Sequence, residues 1–373
     1  MLPIPRSLDD VTPQWLTSAF RGAGVLLRGR VAETTPVRIG QEYGFTGVVG
    51  RVQVSYEDAL GDPPGSLVAK LPMALDEAAS GFRRAQERDP ARMRRHYERC
   101  AREERFYREI AAPFVPRVYY SAADEMSRGV VLLLEDLTGG RQGDVLEGCS
   151  IDDVAHVIDE LAPFHARYWE GGRAAAFGFE PTRLAPAAHQ ERYAHLLGLF
   201  LESHGDALSP DVLRIARRLG TGLAAIAEKL NEGPRTLIHG DLHLDNLIFD
   251  PPGRRVVILD WQIASVGPPA SDVALLIYGS LGVEERRGSE TDLLDHYATL
   301  LSEHGVSDYS TADLRTDCEL ALLLIFAGTV GGLTTIDPSE MTARELALHE
   351  SALTTEGRLV SALLDHKVER LLV

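Results

Sequence analysis

Cysteine is nearly absent from this chain of 373 residues: Cys100, Cys149 and Cys318 are scattered, odd in number, and form no C-x-x-C pair. That argues against a disulfide framework and against a cysteine zinc site, and it leads us to expect a reducing, cytoplasmic setting. Positive charge is also short. With 38 basic and 55 acidic side chains, the formal net charge is -17. Such a surface repels phosphate backbones, so nucleic acid is not an expected partner. The acidity slightly favours a cationic small ligand. No apolar run approaches bilayer length; Leu320 to Val330 reads as a buried helix, and no membrane partner is expected. The start, Met1-Leu2-Pro3-Ile4-Pro5-Arg6, lacks the basic opening and apolar core of a signal peptide. There is no internal repeat and no low-complexity segment.

What is present is ordinary globular composition, 45% apolar and 25% charged, at a length that allows two domains. A short helical pattern near Ser7 to Gly24 (Val11, Trp15, Leu16, Phe20) gives way to strands from Val37. Val49, Val52 and Val54 lead to Tyr56, and a polar turn, Glu57 to Gly65, precedes Leu67 to Leu71, which predicts a hairpin. Residues Ala91 to Ala112 predict a helix with Phe106, Tyr107 and Ile110 on one stripe. Val130 to Leu134 is a continuous apolar strand. Helices are then expected over Ile151 to Trp169 (N-cap Ser150), His189 to His204 and Pro210 to Leu230, and again from Asp272 onward. Strands first and helices after make an α+β chain, with a mixed strand lobe over 1–136 and a mostly helical lobe over 137–373.

The most informative segment runs Leu237-Ile238-His239-Gly240-Asp241-Leu242-His243-Leu244-Asp245-Asn246. An apolar run ends in a polar loop holding Asp241 and Asn246, and a second apolar run, Val256 to Leu259, delivers Asp260. Phosphoryl transfer needs such parts: one carboxylate to meet an acceptor hydroxyl, and a carboxylate with an amide oxygen for a hard cation. Each residue alone has a plainer account as a turn former or strand-end cap. The plain account leaves their joint order unexplained. A second alternative makes His239, Asp241 and His243 ligands of a hydrolytic metal, but no further ligand motif accompanies them.

These motifs resemble the aminoglycoside phosphotransferase and choline kinase superfamily, relatives of protein kinases. Asp260-Trp261-Gln262 and the Glu104-Arg105-Phe106-Tyr107 stretch are similar to the broad group that includes ecdysteroid-kinase-like proteins. The resemblance covers roughly Gly40 to the last helix. It implies a protein-kinase-like two-lobe fold, with a small antiparallel-sheet lobe and a larger, mostly helical one. It implies an ATP-dependent enzyme, with GTP as an alternative donor, that uses Mg²⁺ and phosphorylates a hydroxyl of a small molecule.

Residue by residue, the resemblance makes Asp241 catalytic and Asn246 and Asp260 the metal ligands. Lys70 becomes the phosphate-touching lysine, with a helix glutamate as its partner; Glu103 lies on the stripe with Phe106, Tyr107 and Ile110, whereas Glu104 lies one step around towards solvent, so Glu103 is chosen. Thr46 and Gly47 fall in a glycine loop, G-x-x-G-x-x-G, that departs from the protein-kinase spacing. Val52 and Val68 would cover the base, the strand period of two putting Val68 on the Lys70 face, and the backbone from Glu135 to Leu137 would meet the adenine edge. Asp272 is similar to an aspartate that braces the catalytic loop, and it is also placed for a helix N-cap. Expected walls of the acceptor pocket are His189 to His204 and Phe326 to Thr335. A monomer or homodimer is expected. The competing classes are a catalytically silent kinase-like binding protein and a protein kinase. The latter is disfavoured because Trp261-Gln262 stands where protein kinases carry Phe-Gly.

Overall fold

The structure, a computed structural model, describes residues 2–39, 47–73, 90–179, 186–335, 341, 343–351 and 357–372. The chain separates into two compact units, Met1–Arg141 with Asp250–Ile263, and Gln142–Phe249 with Ala264–Val373.

Among the described residues, the first unit is built on a five-stranded antiparallel sheet. Its strands are β1 (Leu26–Arg38), β2 (Val48–Gly61), β3 (Ser66–Leu71), β4 (Val118–Asp124) and β5 (Gly129–Glu135), in the order β1-β2-β3-β5-β4. Helix α1 (Pro13–Gly22) starts at Thr12, whose hydroxyl accepts the Trp15 N–H, and α2 spans Pro90–Glu109. The alternation in β3 is clean. Leu67, Ala69 and Leu71 are buried in a core with Leu16 and Phe20 of α1, whereas Val68 and Lys70 share the other face. Strand β5 is buried on both faces, which is why it reads as an uninterrupted apolar run. Two strands were not foreseen: β4, and the part of β1 before Val37. Polar residues interrupt both, and β1 shifts register between Leu26 and Glu33, so neither carries a sustained alternation.

The second unit is mainly helical. Helix α3 (Ile151–Arg167) opens with a capping box: the Ser150 hydroxyl accepts the Asp153 N–H, and the Asp153 carboxylate accepts the Ser150 N–H, each at 3.1 Å. Helices α4 (Pro186–His204) and α5 (Pro210–Glu232) follow. Two short strands, β6 (Thr236–Ile238) and β9 (Ser265–Gly267), pair antiparallel at the loop of interest. Between them in sequence come β7 (Leu247–Phe249), and β8 (Val256–Ile258), which belongs to the first unit. Helices α6 (Pro269–Ser280), α7 (Val283–Glu303), α8 (Thr311–Thr335), α9 (Ala343–Ser351) and α10 (Arg358–Asp365) complete the unit.

Helix α8 extends well beyond the apolar stretch Leu320–Val330. By length and composition it could cross a membrane, but it packs on α4, α5 and α6, with Leu320, Leu322, Leu323 and Phe326 buried.

Candidate functional site

The first unit brings together three charged groups far apart in sequence. Lys70 sits on β3, Glu103 on α2, and Asp260 two residues beyond β8. The Lys70 Nζ lies 2.7 Å from Glu103 Oε1 and 2.6 Å from Asp260 Oδ1. One ammonium thus faces two carboxylates, leaving a surplus negative charge. Burial alone would lower the Lys70 pKa, but Asp260 and Glu103 together raise it well above the usual lysine value. Burial pushes the Glu103 carboxyl up to about 7, against the opposing pull of Lys70. Lys70 is one of three lysines in the chain, with Lys229 and Lys367.

Glu103 is the partner that the α2 stripe predicted. Glu104 was expected to face solvent and does not. It is 2% exposed, accepts from the Ser121 hydroxyl of β4 at 2.9 Å, and is paired with Arg108. Strand β4, unforeseen in the sequence, covers that side of the helix.

The Asp260 backbone is held in the left-handed region, φ +63°, a conformation that aspartate tolerates better than most residues. Its N–H donates to the Tyr107 hydroxyl at 3.2 Å, and its Oδ2 accepts from the Gln262 amide at 3.2 Å. Trp261 anchors the turn. It is fully buried and stacks on Phe106 with ring centroids 3.9 Å apart and 6° between planes, while its indole N–H donates to the Ile258 carbonyl. Trp261→Ala is expected to cost about 3–5 kcal/mol of stability by emptying this stack. A denaturant titration measures it, and a loss below about 1 kcal/mol would contradict the anchoring role.

The remaining nucleotide-side expectations fare differently. Val68 shares the Lys70 face of β3. Val52 does not. It pairs with Leu67 and is buried in the core on the opposite face. Directly paired residues of an antiparallel ladder point to the same side, so Val49, which pairs with Lys70, is the β2 valine on the Lys70 face. The sequence could not settle this parity, because consecutive valines at 48 and 49 blur the alternation.

Gly47 adopts φ +116°, and a Cβ there would lie 2.3 Å from the Pro72 Cα, so close backbone passage is reason enough for glycine. Thr46 lies outside the described residues. The Glu135 carboxylate is engaged by the Arg117 N–H and the Arg254 guanidinium, and the Leu137 carbonyl accepts from the Gly140 N–H at 3.0 Å.

In the second unit, the loop after β6 is braced by Asp272, wholly buried in the first turn of α6. Its two oxygens accept the N–H groups of His239 (2.7 Å) and Gly240 (2.8 Å). Gly240, at φ +84°, lets both amides turn to one carboxylate. Asp272 is therefore a loop brace; Pro268 holds the cap position instead. The helix end Phe164 to Trp169, similar in sequence to a family motif, reads as core packing that supports the catalytic loop, and His165 lies within it. His165 of α3 lies 3.5 Å from Asp272 Oδ2 through Nε2, contacts the Tyr297 hydroxyl at 2.7 Å through Nδ1, and gives its carbonyl to the Thr236 hydroxyl.

Asp241 remains accessible, its side chain 42% exposed, and its N–H donates to His239 Nδ1 at 3.1 Å. The His239 ring is thus turned to the loop backbone. The Asn246 side-chain amide donates to the Asp241 carbonyl at 2.9 Å and lies 3.2 Å from His243 Nε2, which leaves the amide oxygen as the atom a hard cation would take. His243 Nε2 stands 3.7 Å from Asp241 Oδ2. Carboxylate and amide oxygens are both donor types that magnesium takes.

A mixed unit carrying the Lys-Glu-Asp set and a helical unit carrying a braced His-Gly-Asp loop define a kinase-like α+β protein. Solved structures share that fold. A putative aminoglycoside phosphotransferase from Ralstonia eutropha JMP134 is similar at TM-score 0.50 and 14% identity, covering 89% of this chain and 93% of the other. Choline kinase from Cryptosporidium parvum Iowa II is similar at TM-score 0.53 and 10% identity, covering 91% and 92%. The family model described as "Phosphotransferase enzyme family" matches residues 60–307, about two thirds of the sequence, and the chain belongs to that family.

Among curated proteins, an uncharacterized kinase-like protein of Caenorhabditis elegans is 28% identical over 204 residues, 53% of each chain. The human acyl-CoA dehydrogenase family member 11 is 47% identical over 45 residues, 12% of this chain and 6% of that protein. The matched part spans about half the length of the first relative and a small fraction of the second.

Proposed function

We propose that this phosphotransferase moves the γ-phosphoryl group of ATP, with GTP as an alternative donor, to a hydroxyl of a small molecule. The observation that carries the reading is the Lys70 ammonium held between Glu103 and Asp260. A lysine fixed at both sides by carboxylates is pre-positioned for phosphate oxygens and has little conformational freedom left to lose on binding. In this reading Lys70 engages the α- and β-phosphates, Val68 covers the base, and the Glu135–Leu137 backbone meets its edge. Asp241 accepts the acceptor's proton while the hydroxyl oxygen forms the new bond to the γ-phosphorus. The bond from that phosphorus to the bridging oxygen breaks, its electron pair leaves with ADP, and the proton passes from Asp241 to solvent.

We assign Asp260 and Asn246 as magnesium ligands; the bound ion would neutralise phosphate oxygens. Asp260→Asn removes the charge and keeps the shape. It should weaken magnesium-dependent nucleotide binding at least about tenfold, the scale of one charge-assisted contact. Calorimetric titration of nucleotide at several magnesium concentrations tests this, and unchanged affinity removes Asp260 from the metal. Nucleotide binding without ADP formation, over a broad alcohol panel, would favour the silent binding protein.

A further inference from the structure

The face of the sheet that bears Lys70 and Val68 carries a second cation. Arg51 of β2 pairs directly with Val68, so its side chain leaves the sheet on that same face. Asp136 is the residue after β5, and β3 lies between β2 and β5 in the sheet order. The Arg51 side chain nevertheless meets Asp136, with Nε 3.2 Å from Oδ1 and 3.0 Å from Oδ2. Neighbouring strands stand about 4.8 Å apart, so the arm of Arg51 reaches across β3 to make this contact. An arginine thus lies across the face to which the base is assigned.

The far end of that arm is fixed. The Ser66 hydroxyl donates to Asp136 Oδ2 at 2.5 Å, and the Thr138 hydroxyl and N–H donate to Oδ1 at 2.6 Å and 3.2 Å. The Gln53 amide donates in turn to Ser66 Oγ at 3.0 Å. Burial would raise the Asp136 pKa, but the Ser66 and Thr138 hydroxyls, and then Arg51, hold it below the usual carboxylate range. The Asp136 side chain is 9% exposed and that of Arg51 is 37% exposed, so the carboxylate is embedded and the guanidinium is held without being enclosed.

Position and charge separate Arg51 from Lys70. Along β3, Val68 stands two residues from Lys70, a span of about 7 Å, which is the scale a ribose puts between phosphate and base. Asp136 cancels the charge of Arg51, which leaves little for phosphate oxygens to seek. A guanidinium is planar, weakly hydrated and able to stack on an aromatic face, properties that an ammonium does not share.

We propose that Arg51 contacts the nucleobase, its guanidinium clamped by Asp136 and lying flat over the purine, an assignment that rests on the phosphotransferase reading for the presence of a nucleotide. Lys70 then sets affinity for the phosphates and Arg51 affinity for the base. Stacking uses the ring face, so ATP and GTP are served alike.

The test uses the full chain and calorimetric titration with ATP, GTP and inorganic tripolyphosphate, each with magnesium. Arg51→Ala should weaken ATP and GTP about tenfold, the scale of one stacked cation, and leave tripolyphosphate within about twofold. The unchanged tripolyphosphate affinity also shows that the variant is folded, as expected for a part-exposed ion pair. Arg51→Lys keeps the charge without the plane and should lose nearly as much. Asp136→Asn, which loosens the clamp, should weaken ATP about threefold. Lys70→Ala should weaken all three ligands. Equal losses for ATP and tripolyphosphate in Arg51→Ala would put Arg51 on the phosphates and overturn the proposal. Native affinity in Arg51→Lys overturns it too, because charge alone would then suffice, and a loss confined to GTP would make Arg51 a reader of the guanine edge. A native protein that binds neither ATP nor tripolyphosphate defeats the phosphotransferase reading and the Arg51 assignment with it. Native nucleotide binding that Arg51→Ala leaves unchanged defeats the Arg51 assignment alone.

Discussion

Asp241→Ala is expected to lower phosphoryl transfer by about two to four orders of magnitude, the usual contribution of a positioned general base. The fold should be indifferent to the change. The Asp241 carboxylate is 42% exposed, and the loop is held by other groups: the two amides on Asp272 and the Asp241 N–H on His239, all of which survive the substitution. Stability should stay within about 0.5 kcal/mol of native, as for an exposed side chain without special contacts. Nucleotide affinity should also persist, since the Lys70 set is untouched. ADP formation with an accepted alcohol, beside a thermal melt and a nucleotide titration, separates these outcomes. Turnover near native would remove Asp241 from the reaction, and a large loss of stability would make it a structural residue.

Lys70→Ala should have the second-largest effect. Loss of one charge-assisted phosphate contact predicts a fall in nucleotide affinity of about ten- to a hundredfold. Stripping one partner from a buried ion pair commonly costs about 3–5 kcal/mol. Here the stability cost should be smaller and should depend on pH. Burial already pushes Glu103 up to about 7, so without Lys70 it takes up a proton near neutrality. The sign follows from linkage. A carboxyl whose folded pKa is raised binds more protons folded than unfolded, so its contribution is full below its ordinary value and is lost as pH rises. Removing Lys70 raises that pKa further, so the stability gap between native and variant should widen as pH climbs above about 7. Urea titrations at pH 6, 7 and 8 read it directly. A gap that narrows with rising pH would mean that Glu103 is not the group left exposed to the missing charge.

How much of this was legible beforehand differs from residue to residue. The β3 alternation put Val68 and Lys70 on one face, and the stripe of Phe106, Tyr107 and Ile110 selected Glu103 over Glu104. Both are local periodicities, which the backbone geometry enforces directly. Val52 went astray because its face depends on the register of β2 against β3, and two adjacent valines suit either parity. Glu104 went astray because an unforeseen strand covers it. The helix end holding His165 was legible as packing behind the loop, but its partners, Asp272 and Tyr297, lie more than a hundred residues away and were not.

The sequence by itself determined the chemical inventory: a His-Gly-Asp loop with Asn246, a strand-borne Asp260, and one of only three lysines set in an amphipathic strand. Short-range patterns carry such information because side-chain period and turn chemistry act over a few residues. The tertiary structure alone decided that Asp260 returns to the unit holding Lys70, 190 positions earlier, and that His165 stands beside the brace Asp272. Those pairings arise from packing between distant segments, where burial makes an unmatched charge too costly to leave alone, and no local pattern encodes which partner will be close enough to match it.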